Sequence, residues 1–242
     1  AAMGAQAIGT TSAGYGFTLG IPDMGCLTRD QSLSHAQDLV AATPLPVSGD
    51  FENGFGDAPE TVAETVRLAC EAGLAGCSIE DTALPTHHAY DFDLAVERIK
   101  AAVSAARALP RDFVLVARAD GIMNNQYDLT EAIRRLQAFE AAGADCLYAP
   151  NTASFRDLMQ ICAHTKAPVN ALAIGQYTKF SRAQYADISV ARISLGSALS
   201  RFIHQAIIDG AKPIFDKGDF SILAKGAKGL DIDRLLIEGA EV

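Results

Sequence analysis

The chain has 242 residues, of which 49% are hydrophobic and 20% charged. That length is close to the ~250 residues of a single (β/α)8 barrel, and the composition excludes a mostly disordered chain. Aspartate and glutamate number 29 against 20 lysines and arginines, a formal net charge of −9, so nucleic acid is not an expected partner: phosphates would meet a field of their own sign. In chain order, the first apolar run is 7–12 (AIGTTS), followed by a helix start at Thr28-Arg-Asp-Gln31. The second run, 45–50 (LPVSGD), precedes a start at Asp57-Ala-Pro-Glu60, and the third is 76–81 (GCSIED). The fourth, 113–120 (FVLVARAD), precedes a start at Asp128-Leu-Thr-Glu131. The last three are 146–150 (CLYAP), 168–174 (PVNALAI) and 188–196 (ISVARISLG).

Each helix start places a Thr or Asp three residues before a Gln or Glu, the pattern of a reciprocal N-cap. Gly73 and Gly143 close two helices in the phrase Ala-Gly-x-x before an apolar run, where a left-handed residue turns the chain back. The runs are continuously apolar rather than alternating, as in parallel strands covered on both faces. Strand and helix therefore alternate, and no linker or composition shift divides them. The expected fold is α/β, a TIM barrel forming one domain over 1–242, with the barrel to about 210 and a helical tail beyond. An open doubly wound sheet is less favoured, because no GxGxxG follows the first run.

No stretch approaches the ~20 apolar residues of a membrane-spanning helix, and the opening residues lack the basic start and apolar run of a leader. The expectation is a soluble cytoplasmic protein without a membrane partner. Cys26, Cys70, Cys77, Cys146 and Cys162 are odd in number and none forms a CxxC pair, so they read as structural thiols. His87 and His88 are adjacent and point to different sides, which makes them poor joint ligands. Gly196-Ser197 after the last run is a weak match to a phosphate cradle.

Polar groups gather at the C-terminal ends of the runs: Thr11 and Ser12, Asp50 with Glu52, Glu80 with Asp81, and Arg118 with Asp120. In a barrel these ends share one rim, the rim where active sites are built. Carboxylates without His or Cys suit a hard cation with oxygen ligands, Mg2+ first and Mn2+ close behind. Arg118 follows the apolar Val-Leu-Val-Ala, and a guanidinium there needs a carboxylate or a developing enolate oxygen beside it.

These motifs, in order, resemble the isocitrate lyase/phosphoenolpyruvate mutase superfamily. The carriers are Thr10-Thr-Ser-Ala-Gly14, Asp50-Phe-Glu-Asn-Gly-Phe-Gly56, Ser78-Ile-Glu-Asp81 and Val116-Ala-Arg-Ala-Asp120. Ala142-Gly-Ala-Asp145, Pro168-Val-Asn170 and Ala191-Arg-Ile-Ser-Leu-Gly196 extend the likeness over nearly the whole chain. The resemblance implies a Mg2+-dependent barrel that makes or breaks a C–C or P–C bond beside a 2-oxo acid or its enolate. It implies Asp50, Glu52 and Glu80 for the metal, and Arg118, Glu80 and Asp23 for catalysis. It also implies Thr11, Ser12, Ala13, Arg118 and Asn170 for holding substrate.

Two departures narrow the activity. Glu52 stands where the family more often has Asp. After Glu80-Asp81, a Lys-x-Cys-Gly-His loop is replaced by Thr82-Ala-Leu-Pro-Thr-His-His-Ala-Tyr90. The general-acid Cys is absent, which disfavours isocitrate lyase activity and leaves His87, His88 and Tyr90 as replacement candidates. The expected activity is a lyase or hydrolase cleaving a C–C bond of a small 2-oxo or 2-hydroxy dicarboxylate, such as oxaloacetate, 2-oxoglutarate or a substituted malate. The alternatives are a P–C bond enzyme of the phosphonopyruvate hydrolase or mutase type, or a 2-oxo acid binder with little turnover. The resemblance also implies a homodimer or homotetramer that exchanges the helix near 197–208. Because only seven runs are present, the first strand–helix unit of the family's barrel is expected to be missing from this sequence.

Overall fold

A computed structural model describes residues 1–23 and 25–241. The elements are β1 (Ile8–Gly9), α1 (Ser12–Thr18), α2 (Arg29–Ala42), β2 (Val47–Asp50), α3 (Pro59–Glu71) and β3 (Gly76–Glu80). Then come β4 (Thr82–Ala83), β5 (His88–Ala89), α4 (Phe92–Arg107), β6 (Val114–Arg118), α5 (Leu129–Ala141) and β7 (Cys146–Tyr148). The chain continues through α6 (Phe155–His164), β8 (Val169–Leu172), α7 (Arg182–Asp187), β9 (Val190–Ser194), α8 (Ala198–Lys217) and α9 (Gly229–Glu241).

Seven strands make one curled parallel sheet in the order β1-β2-β3-β6-β7-β8-β9, each matching one of the seven apolar runs. Among the described residues no ladder joins β9 to β1. Helices cover the outer face. Leu115, Ala117, Leu147, Val169 and Ala171 pack outward with Val66, Ile99, Leu136 and Ile161 of α3 to α6. The alternate residues Val116, Cys146 and Tyr148 form a separate small cluster on the inner face. Period-two geometry then aims Asp50, Glu80, Arg118 and Asn170 into the sheet's concave side.

Local chemistry explains most boundaries. Thr28 caps α2 with the full reciprocal bond to Gln31, as its spacing predicts. Asp128 caps α5 by accepting from Glu131 N at 3.0 Å. The Glu131 carboxylate turns instead to Arg134 and Arg135. The predicted cap at Asp57 is wrong: the N-cap of α3 is Ala58, with Pro59 at the first helical position. Asp57 is drawn away by the Tyr90 hydroxyl, which donates to Oδ1 at 2.6 Å.

Two further boundaries shift. Only Ile8–Gly9 of the first run is a strand, because Thr11 caps α1 by accepting from Gly14 N. The segment read as a plain loop after Asp81 contains the antiparallel pair β4–β5. The helix after the last strand, α8, runs through 210 to Lys217 and ends at Gly218, φ 66°. It leaves Leu199, Phe202, Ile203 and Ile207 more than half exposed, at 62%, 74%, 58% and 59%. No helix among the described residues is long and apolar enough to cross a membrane.

Candidate functional site

The strand ends predicted to share a rim do so. Asp50 ends β2, Glu80 ends β3 and Arg118 ends β6, with Glu80 and Arg118 in direct register. Arg118 binds three carboxylates: Nη1 reaches Asp50 Oδ1 at 2.8 Å, and Nη2 reaches Glu80 Oε2 at 3.1 Å and Asp120 Oδ2 at 2.5 Å. Its Nε donates to Asp120 Oδ1 at 3.0 Å. The guanidinium also lies 5.4 Å from the centre of the Tyr148 ring. Burial opposes its charge, but Asp120, Glu80 and Asp50 together raise its proton affinity, so it remains a cation.

Asp50 is the joint between this group and the chain's first helix. Its Oδ2 accepts from both the backbone N–H and the hydroxyl of Ser12 at 3.1 Å, while its own N–H donates to Thr10 Oγ1 at 2.7 Å. Thr11, Ser12 and Ala13 therefore stand at the start of α1 against Asp50. Glu80 is buried, and its Oε1 accepts from Thr82 Oγ1 at 2.9 Å. Burial raises the pKa of Glu80 and of Asp120, while the Arg118 charge pulls both back.

Glu52 sits two residues beyond Asp50 with a left-handed φ of 49°. Its carboxylate is buried and accepts from Gly25 N at 3.3 Å. Burial, with the negative charges of Asp50 and Asp23 added, pushes its pKa up to about 7. Asp23 is an exposed residue near enough to act on Glu52 through its charge. A cavity of about 660 Å³ opens on this side, lined by Glu52, Asn53, Asp57, Thr28, Arg29 and Leu84. Of the acids around Arg118 named above, Glu52 is the one that lines it.

Asn170 lies in register with Tyr148 on one side and Arg192 on the other. A bulge at Val169/Asn170 sets that register and keeps Asn170, Arg192 and Ser194 on the inner face. Asn170 Nδ2 donates to Ser194 Oγ at 2.9 Å, while its Oδ1 is buried without a partner. An orphaned buried amide oxygen is an acceptor waiting for a donor.

Other charged residues named from the sequence have structural duties. Asp81 turns away from the rim: it accepts from Asp120 N at 2.8 Å, Tyr127 hydroxyl at 2.7 Å and Arg135 Nη1 at 3.0 Å. Tyr90 is buried and engaged with Asn53 and Asp57, and His88 is exposed on the hairpin. The Arg118 hydrogen bonds and ion pairs go to Asp50, Glu80 and Asp120 instead. Tyr148, Ser194 and Arg192 were given no role from sequence, although their place at or near the C-terminal ends of the fifth and seventh apolar runs, the ends that share the rim, is the signal that could have found them. Among the described residues no three His, Cys, Asp or Glu side chains close into a ready metal cage. The donor set nevertheless fits a hard dication. Asp50, Glu52, Glu80 and Asp120 present only oxygen donors, and among the described residues Arg118 is ion-paired with Asp50, Glu80 and Asp120.

Comparison with known proteins agrees with this architecture. The Phosphoenolpyruvate phosphomutase (PEP_mutase) family profile matches residues 1–215. The chain is 32% identical over 161 residues to oxaloacetate decarboxylase 2 of Pseudomonas fluorescens (strain Pf0-1), covering 65% of this chain and 54% of that protein. It is also 32% identical over 171 residues to 2-methylisocitrate lyase of Halalkalibacterium halodurans, covering 69% and 56%. The chain thus spans about half the length of these curated relatives. A crystal structure from Burkholderia cenocepacia J2315, assigned to the lyase/mutase class, superposes with a TM-score of 0.91 at 45% identity over 96% of this chain and 84% of that one. With the rim carboxylates, the curled sheet and the matched profile in agreement, the chain belongs to the PEP mutase/isocitrate lyase superfamily.

Proposed function

We propose that this chain is a Mg2+-dependent lyase or hydrolase that cleaves a C–C bond beside the 2-oxo or 2-hydroxy group of a small dicarboxylate. The observation that supports the reading most is Arg118 held among Asp50, Glu80 and Asp120, with Glu52 beside them. Asp50, Glu52 and Glu80 would hold the metal, Asp50 directly. When bound there, Mg2+ supplies Lewis acidity to the carboxylate and 2-oxo oxygens of the substrate.

The chain's own residues do the rest. Thr11, Ser12 and Ala13 grip the substrate carboxylate at the start of α1. Arg118 has five N–H donors. Nε and Nη2 are spent on Asp120 and Glu80, and one of the two on Nη1 is spent on Asp50. The remaining Nη1 hydrogen is available to an oxygen that gains charge as the bond's electron pair moves into an enolate. Asn170 Oδ1 accepts from a substrate hydroxyl or a protonated acid. Asp23 is placed to act through Glu52. The Tyr90 hydroxyl is committed to Asn53 and Asp57, which favours reactions whose enolate takes its proton from water, as decarboxylation or hydrolysis of oxaloacetate allows.

We further propose that the protein works as a cytoplasmic homodimer or homotetramer, with the apolar face of α8 buried against a second copy. The central experiment is a Mg2+-supplemented assay with oxaloacetate, 2-oxoglutarate and substituted malates, run on the wild type and Asp50→Ala. Turnover of one of them that disappears with chelator and with Asp50→Ala supports the reading. Turnover that survives both changes, or tight 2-oxo acid binding with none, overturns it.

A further inference from the structure

Beneath the Glu52 loop lies a polar cluster that belongs to no step of the chemistry above. Arg98 of α4 is 1% exposed, and a guanidinium taken so far from water needs several acceptors. It finds three, all backbone carbonyls of one loop: Gly56 O at 2.6 Å, Asp57 O at 2.5 Å, and Asn53 O. Its carbon Cζ lies 4.1 Å above the centre of the Tyr90 ring. The Tyr90 hydroxyl in turn accepts from Asn53 Nδ2 at 2.9 Å and donates to Asp57 Oδ1 at 2.6 Å.

Two segments are tied together by this cluster. One is the 51–57 loop, which carries Glu52 and holds both Glu52 and Phe55 at positive φ, 49° and 63°. Such backbone is sparsely populated for non-glycine residues and persists only where its surroundings over-determine it. The other is the β4–β5 hairpin, which begins at Thr82, a hydrogen-bond donor to Glu80, and runs directly into Tyr90. Glu52 and Glu80 are thus linked from below: the backbone of Glu80 donates to Glu52 O at 2.9 Å, and the hairpin after Glu80 ends on the residue that clamps the Glu52 loop.

We infer that Arg98 and Tyr90 are positioning residues that set the Glu52 carboxylate for metal binding and couple the hairpin to it. The inference rests on the metal reading given above. Arg98 fixes the loop's carbonyls, and Tyr90 fixes Asn53 and Asp57 at its two ends. Neither touches metal or substrate. Outer groups that orient metal-binding side chains typically change metal affinity ~10–100-fold when removed.

The test is Mn2+ binding, followed by electron paramagnetic resonance, alongside thermal melting in the absence of metal. Tyr90→Phe keeps the ring over Arg98 and deletes only the hydroxyl, and Arg98→Lys leaves one cation able to reach a single carbonyl. Ile161→Val, a core change on α6 far from the loop, serves as the control for lost stability alone. The expected result is a Kd for Mn2+ raised about tenfold in Tyr90→Phe, with a small change in Tm and an unchanged Kd in Ile161→Val. Arg98→Lys should show a larger rise. Wild-type affinity in Tyr90→Phe, or a rise matched by the control at equal loss of Tm, overturns the inference and leaves the metal reading standing. Failure of the wild type itself to bind Mn2+ overturns both.

Discussion

Asp50 Oδ1 and Arg118 Nη1 are 2.8 Å apart although β3 lies between their strands in the sheet. The pair bridges over Glu80, so one guanidinium joins carboxylates from β2, β3 and the turn after β6. Removing that cation leaves buried acids without a partner. Arg118→Ala should therefore abolish turnover and also lower unfolding stability, by about 3–5 kcal/mol for a broken buried pair. Urea unfolding at neutral pH checks this. The loss should shrink in acid, where Glu80 and Asp120 take up protons; a loss that does not change with pH would contradict the assigned pairing.

Glu52 carries a pKa of about 7 in the fold against 4.5 for the free side chain. Between these values the folded protein holds a proton that the unfolded chain releases, so Glu52 makes the metal-free protein less stable as pH rises through that window. The contribution is fully present below pH 4.5 and lost above about 7. Tm measured from pH 5 to 8 with chelator should fall for this reason, and Glu52→Gln should flatten the slope. Mn2+ or Mg2+ must displace the same proton, so metal affinity should strengthen from pH 6 to 8 and release protons in weakly buffered calorimetry.

Asn170 should separate binding from folding. Its Oδ1 is buried without a partner, an arrangement that costs ~1–3 kcal/mol unless a ligand supplies a donor. Asn170→Leu keeps the volume and removes the orphan, so Tm should hold or rise while KM for the substrate increases about tenfold or more, as expected where a buried polar group meets its ligand. Equal KM values for the two proteins would exclude a substrate contact.

The apolar stripe of α8 gives an assembly prediction. Leu199, Ile203 and Ile207 recur at helical spacing with Phe202 beside them, and all are exposed. Sedimentation of the wild type should give a dimer or larger species. Phe202→Asp with Ile203→Asp should shift it toward monomer without unfolding the sheet. A monomeric wild type would remove the proposed interface.

The fold was largely readable because each parallel strand lies in a continuous apolar run and the helices α2 and α5 open on the capping residues Thr28 and Asp128. All seven parallel strands appear where the runs lie. The misreadings have local causes. Thr11 and Ser12 are β-compatible residues, but the Thr11 hydroxyl caps a helix and ends the strand early. Asp57 has the spacing of a cap, and Tyr90, thirty-three positions on, competes for its carboxylate. Within the site, Asp50, Glu80 and Arg118 were legible from their strand ends. Asp120 as the strongest partner of Arg118, and Asp81 as a turned-away acid, depend on which way each side chain points after the strand stops. For Asp81 that direction is set by Tyr127 and Arg135, contributed from the loop and helix that follow β6.

The division of labour across the sheet has an evolutionary consequence. The acids and Arg118 come from β2, β3 and β6, whereas Asn170, Arg192 and Ser194 come from β8 and β9 on the other side of Tyr148. If the proposed substrate site is correct, substitutions in the second group would change which small acid fits while the ionic half keeps its internal balance of charge. Under that reading, a scaffold partitioned in this way would let substrate preference drift separately from the bond-breaking chemistry.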